Sequence, residues 1–492
     1  MFSGSMGSII ATLRSWFASG RLAHERALVV SLAIAVVILR SSAFVFGRAP
    51  HFDSDQAIVG LMAKHLSEFR ALPVFFYGQQ YMLGVEAWLA APLFHVFGPS
   101  VTALKLPILG IHLAVTVLLL VVLERELGIR PLLALVPTLF FLVPPVGTTS
   151  LMLQANGGNV EPFLYVLLLW TLRRRPLPFG VVLGVGFLNR EFTAYGLGAL
   201  LLLETGDGTL FRNRNLQGKA ISLVSLAAVV QGVEVLRSVG NPFGPGTSAA
   251  SFAMPSNLEQ LARRSCWMWS EVPGWLGSML TSNLSTLYTG GADWLWLLTG
   301  GAAIAAGIRV VPALLSGGSV FRSRLQFPTY LLLVGLIAAA VPAVARCGAV
   351  LDRYMLLALL GLVGVTAIYL KAERRSGLRA AFIGVILACT LFNAAAHSRY
   401  AFDYYSSPDP RLALADHLVS NDVRFAVSDY WTAYYLTFLT DEQVIVASSD
   451  VVRIREYQEV VAEHGDEAVR IGLAPCRDGH EVSDFHVCPP SQ

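Results

Sequence analysis

The chain has 492 residues, of which 54% are hydrophobic and only 14% charged, and its formal net charge is +3. Soluble globular domains carry about 25% charged residues, so the composition excludes that class and marks an integral membrane protein. A charge this small, with Lys and Arg set between apolar runs rather than on one basic face, excludes a nucleic-acid partner.

The first apolar run, 27–46, follows Arg14, Arg21 and Arg26. It is too long for the apolar region of a signal peptide and has no small-x-small site at its end, so it reads as a first span. A span needs roughly 20 apolar residues. Further candidates are 101–123, 131–148, 160–172, 178–203, 219–237, 291–312, 328–345, 350–370 and 378–395.

Cytoplasmic loops are rich in Lys and Arg. With the N-terminus inside, Arg125/Arg130, Arg173–Arg175, Arg322/Arg324 and Lys371–Arg375 all fall inside. The segment 178–203 has basic residues at both ends, next to Arg173–Arg175 and Arg212, Arg214 and Lys219. It therefore reads as two short helices, out and back, broken at Asn189-Arg190-Glu191. Irregular backbone at membrane depth needs protein or a wet cavity around it. The count becomes about eleven helices, with ten full spans as the other register. The external segments are 47–100, 149–159, 238–290, 346–349 and 396–492.

The first external loop, 47–100, carries Asp53 and Asp55 at the exit of the first span. Two acids here suit general-base work on an acceptor hydroxyl, or oxygen ligation of a divalent cation. Asp55 also suits the N-cap of the helix that follows. Stretches 56–69 and 81–97 are amphipathic and expected to lie along the interface, as is the loop holding Trp267, Trp269 and Trp275. Tyr77, Gln79, Tyr81 and Glu86 combine aromatic faces and polar groups suited to a sugar. Glu161, at the mouth of a short span, adds a carboxylate on the same side and pairs with Asp55 as a possible metal ligand. Arg190 within the apolar run and Arg353 at the start of a late span are placed to meet a phosphate. An Arg190–Glu191 ion pair and a snorkelling Arg353 are the plainer readings of the same residues.

After residue 395 the charges return. Helices are expected at 410–420, 430–439 and 453–464, and strands at 423–428 and 443–448, which makes a small α/β unit over 396–492 beside a membrane domain over 1–395. Cys476 and Cys488 in this tail are either a disulfide or two free thiols.

The order of one span, an acidic motif and a loop with two amphipathic helices resembles the GT-C membrane glycosyltransferases. The run Ser54-Asp-Gln-Ala-Ile-Val-Gly-Leu-Met-Ala-Lys-His65 is similar to the bacterial branch related to protein O-mannosyltransferases and the aminoarabinose transferase of lipid A. So are Pro73-Val-Phe-Phe-Tyr-Gly-Gln-Gln-Tyr81, Glu86-Ala87 and Phe97-Gly-Pro-Ser100. The resemblance covers 27–240 in ordered motifs and the rest in topology. It implies a bacterial inner-membrane enzyme of the hexosyltransferase class, with site and C-terminus outside. A polyprenyl-phosphate sugar would be the donor, and a protein, glycolipid or polysaccharide the acceptor. Asp55 would be the base, with Asp53 or Glu161 orienting it or holding Mg or Mn. The family carries Asp-Glu where this chain has Asp55-Gln56, so the second acid is absent at that position. A flippase for polyprenyl-linked sugars and a non-catalytic scaffold fit the composition as well.

Overall fold

A computed structural model describes residues 22–46, 52–79, 81–240, 302, 306–314, 319–345, 352–406 and 409–490. The expected loop with Trp267, Trp269 and Trp275, the segment 346–349, Cys266 and Cys347 lie outside these. The protein is mostly helical. In chain order the first helices are α1 (Ala23–Val45), α2 (Ser54–Ser67), α3 (Val85–Phe97), α4 (Val101–Leu127), α5 (Pro131–Leu142) and α6 (Val146–Met152). Then come α7 (Glu161–Leu172), α8 (Pro176–Asn189), α9 (Thr193–Gly206), α10 (Asn213–Gly240), α11 (Ser319–Ala345), α12 (Ala358–Ala372) and α13 (Ser376–Ser406).

Among the described residues, five helices are long and apolar enough to cross a membrane: Ala23–Val45, Val101–Leu127, Leu216–Arg237, Arg353–Ala372 and one that starts at Ser376. A sixth crossing forms if α5 and α6, bent by 81°, are one broken span. Glu161–Leu172 and Pro176–Asn189 are apolar but shorter. Among the described residues length and composition do not confirm the expected number of about eleven, and the expected span 291–312 lies mostly outside them.

The expected break near Asn189-Arg190-Glu191 is present between α8 and α9. The expected single span 131–148 is instead cut after Leu142. Pro144-Pro145 supplies two successive residues without an N–H, which ends the helix. Helix α13 runs unbroken to Ser406, past residue 395.

The first loop folds differently from an interfacial pair. Helix α2 is buried on nearly all sides, from Ser54 to His65, rather than on one face. It is covered by a C-terminal unit of α14 (Pro410–Ser420), β1 (Phe425–Ser428), α15 (Tyr430–Leu439), β2 (Ile445–Ser448), α16 (Arg455–Glu463), β3 (Val469–Gly472), β4 (His480–Val482) and β5 (Phe485–Cys488). The sheet order is β2-β1-β3-β5-β4. Strand β1 is parallel to β2 and β3, with Phe425 opposite Ile445, while β5 runs antiparallel to β3 and β4. Cys476 and Cys488 form a disulfide across the β4–β5 region. Phe52 packs on Tyr435 and Phe438, and Phe438 lies against Gly60, so one core joins α2 to α15.

An ionic clamp closes this joint. Lys64 reaches Asp441 Oδ1 at 2.5 Å and Glu442 Oε2 at 3.0 Å. Arg70 donates to Glu442 Oε2 and Oε1 at 2.6 and 3.1 Å. Tyr457 donates to Glu442 Oε1 at 2.7 Å, and His65 Nε2 lies 3.2 Å from the same oxygen. Burial alone would raise the Glu442 carboxyl, but these hydrogen bonds hold it well below the usual carboxylate range.

Candidate active site

The two acids of the opening motif are not equivalent. Asp53, not Asp55, is the N-cap of α2: its Oδ1 accepts from Gln56 N at 3.0 Å and from Gln56 Nε2 at 3.3 Å. Burial raises its carboxyl above the ordinary value, opposed by Gln56 and by the charge of Lys105, a buried lysine near the start of α4. Gln56, where a second acid was looked for, is fully buried and accepts from Ala155 N at 3.2 Å through Oε1. It ties the helix cap to the loop 153–160.

Asp55 sits one residue further, in the first turn of α2, and remains partly exposed. Its Oδ1 accepts a short hydrogen bond from the Tyr430 hydroxyl at the start of α15. Arg453 stands behind Tyr430, its guanidinium 5.8 Å from that ring and 5.7 Å from Phe76. Gln79, its amide oxygen turned to the guanidinium, accepts from Arg453 at 3.1 and 3.2 Å. Gly78 makes this approach possible. Its φ is +72°, and a Cβ there would lie 2.9 Å from the Arg453 Cα. Asp55, Tyr430, Arg453 and Gln79 thus join the first loop to the C-terminal unit. Sequence reasoning missed Tyr430 and Arg453, since nothing local marks a tail tyrosine as facing an acid nearly 400 positions earlier.

Other expected sugar ligands are used up inside the fold. Tyr77 is fully buried, its hydroxyl 3.0 Å from His65 Nδ1, and so belongs to the clamp. Tyr81 is 46% exposed, away from that clamp. Glu86 is buried in α3 and accepts from Gly157 N and Gly158 N at 2.8 and 2.9 Å. Those glycines have φ of +89° and +95°, and a Cβ on either would collide with Met82 or Arg190. Burial pushes the Glu86 carboxyl up. Glu161 is 1% exposed and faces Glu86.

Arg190 is the C-cap of α8, also buried. It donates from Nε to the Gly157 carbonyl and lies 3.4 Å from the Asn156 carbonyl. Glu191 is exposed, and the neighbouring ion pair is not formed. Arg353 belongs to a 3₁₀ turn over Asp352–Met355, before α12. Its charge repels that of Arg190, and the Phe192 and Tyr354 rings meet edge-on at 5.6 Å beside them. The Arg353 Nε is buried without an acceptor. Of the two arginines, Arg190 is largely committed to its loop and Arg353 is the freer.

The expected cation ligands Asp55 and Glu161 each have another neighbour. Asp55 bonds Tyr430 and Glu161 faces Glu86, and the described residues gather no group of three or more His, Cys, Asp or Glu.

The fold has structural counterparts. ArnT from Cupriavidus metallidurans in the apo state superposes with a TM-score of 0.60 at 12% identity, over 94% of this chain and 96% of that one. The same protein bound to undecaprenyl phosphate gives 0.55 at 12% identity, over 94% and 97%. The chain shares the fold of ArnT. No family model and no curated protein sequence matches the chain.

Proposed function

We propose that the protein is an inverting glycosyltransferase that moves a sugar from a polyprenyl-phosphate donor to an acceptor on the extracytoplasmic side. The observation that carries this is Asp55: it is partly exposed, is not the helix cap, faces no second carboxyl, and is oriented by a hydroxyl from another unit. The likeness to ArnT, one of whose structures holds undecaprenyl phosphate, supports the donor class. The basic residues at the far ends of α1 and α4 support an outer location of the site. There Arg26 pairs with Glu124 at 2.7 Å and Arg130 with Glu25 at 2.9 Å. The disulfide in the tail supports it too, since such bonds persist in oxidising compartments.

In this reading Asp55 takes the proton of the acceptor nucleophile as its oxygen attacks the anomeric carbon. The bond from that carbon to the phosphate oxygen breaks on the opposite face, and the electron pair leaves with the polyprenyl phosphate. Arg353, assisted by the fixed charge of Arg190, stabilises the phosphate as it departs. Tyr430 holds the Asp55 carboxylate in one orientation. No step is routed through a metal ion.

The test is Asp55→Asn in membranes supplied with a labelled polyprenyl-phosphate sugar. Loss of a general base lowers rates by about 10²–10⁴-fold, and transfer at the wild-type rate would remove Asp55 from the role.

A further inference from the structure

Helix α15 begins with two aromatic residues that face different surroundings. Tyr430 is buried and sends its hydroxyl to Asp55. Trp431, the next residue, is 58% exposed. Its backbone N–H donates to Asp429 Oδ1 at 2.8 Å, and among the described residues its indole N–H bonds no acceptor. The ring stands edge to face with Tyr430, the centroids 5.1 Å apart and the planes at 79°.

Asp450, just after β2, is exposed and fixed at the same place. Its Oδ1 accepts from Tyr430 N at 2.8 Å, Ser448 Oγ at 3.0 Å and Val451 N at 2.9 Å. Burial raises its carboxyl, but the bonds from Ser448, Val451 and Tyr430 outweigh this and hold it below the usual carboxylate range. All three contacts fall on Oδ1, and no other described residue bonds Oδ2. Asp450 is therefore an ionised acceptor with a fixed orientation and one oxygen to spare.

An exposed indole beside a fixed carboxylate oxygen suits a guest with an apolar C–H face and a rim of hydroxyl donors, which describes a sugar ring. The nearby charges favour a neutral guest. Asp450 opposes an anionic lipid headgroup, and Arg453 behind Tyr430 opposes a cationic peptide. Position favours the acceptor over the donor. Asp450 holds the backbone end of Tyr430 and Asp55 its hydroxyl end, both where the C-terminal unit meets the first loop. The donor phosphate is assigned to Arg353, before α12.

We infer that Trp431 and Asp450 form the subsite that holds a saccharide acceptor. One sugar ring stacks on the indole and donates hydroxyl hydrogen bonds to Asp450 Oδ2. The adjoining ring, a tyrosine's length away, brings the attacking hydroxyl to Asp55. This rests on the transfer reading and names its acceptor: the hydroxyl proton passes to Asp55, and the departing phosphate keeps the electron pair.

Full-length protein in a detergent without a sugar headgroup is mixed with cellotriose, mannotriose or chitotriose, with no donor present, and binding is read by saturation-transfer NMR. At least one of these should bind. Trp431→Ala should weaken that binding about tenfold, the loss of one aromatic face. Asp450→Asn should weaken it about fivefold, the loss of one charged acceptor, and Trp431→Phe, which keeps a ring, should retain it. No bound saccharide, or binding that Trp431→Ala leaves intact, would overturn the assignment. If Asp450→Asn does not fold, the two Trp431 variants decide by the same criterion. In the transfer assay label should reach a protease-resistant saccharide, lipid-extractable for a glycolipid and aqueous for a polysaccharide, and the Trp431→Ala loss should fall on the acceptor KM rather than on kcat. Label on peptide would overturn the subsite and leave the transfer reading. Saccharide binding with no transfer would contradict the transfer reading and leave the subsite.

Discussion

Asp53 and Asp55 were both legible as candidates from sequence, because two acids beside an apolar span stand out. Their division of labour was not, because it depends on which carboxylate meets the Gln56 N–H and which meets a hydroxyl from residue 430. Gln56 looked like a lost acid and is a buried clip to Ala155. Glu86, Glu161 and Tyr77 looked like ligands because polar groups near a motif invite that reading, and the structure buries all three. Tyr430→Phe removes the hydrogen bond to Asp55 while leaving the ring. If Tyr430 positions the base, kcat falls about tenfold with KM little changed, which is one hydrogen bond to a charged group at about 1.5 kcal/mol. Steady-state kinetics on the variant checks this, and an unchanged kcat would make the contact structural only. Gly158→Ala forces a side chain onto a backbone at φ +95° and against Arg190. It should destabilise the protein by about 1–3 kcal/mol, read as a lowered unfolding midpoint.

At the scale of elements, periodicity and turn residues revealed much. The polar triplet at 189–191 marked the α8–α9 break, and the helices and first two strands of the tail fall close to their expected places. Strand β3 and the β4–β5 hairpin were missed because Val469-Arg-Ile-Gly472, His480-Glu-Val482 and Phe485-His-Val-Cys488 are short and partly polar. Helix α2 was misread as interfacial because Lys64 and His65 have no visible partners in sequence, and their partners Asp441 and Glu442 lie on a loop about 375 residues away. That clamp has a pH signature. Glu442 is held below its unfolded value, so its contribution is complete above an ordinary carboxylate pKa of about 4.3 and is lost progressively as pH falls below it. Hydrogen exchange in α2 and α15 should therefore rise as pH drops from 6 to 3, after correction for the intrinsic rate. Glu442→Gln should show faster exchange already at pH 7, corresponding to about 2 kcal/mol for the charged hydrogen bonds lost.

For the whole molecule, composition identified the membrane class and motif order pointed to the GT-C fold, which the superposition on ArnT bears out for the architecture. The number of crossings was less legible, because short helices such as α7 and α8 sit within the bundle without the length of a full span. The donor set around Asp55 and Glu161 leads to a further expectation: transfer persists in excess EDTA, whereas abolition restored by Mg or Mn would call for a metal site outside these contacts. The account rests above all on the protein being a transferase rather than a flippase of the same lipid. In detergent micelles there is neither a second compartment nor a gradient, so only chemistry moves label off the carrier. Detergent-solubilised membranes containing the protein, given a labelled polyprenyl-phosphate sugar pool and a membrane extract as acceptor source, should transfer label from the polyprenyl fraction to acceptor in a manner abolished by Asp55→Asn; label that stays on the polyprenyl phosphate with wild type as with Asp55→Asn would contradict the account.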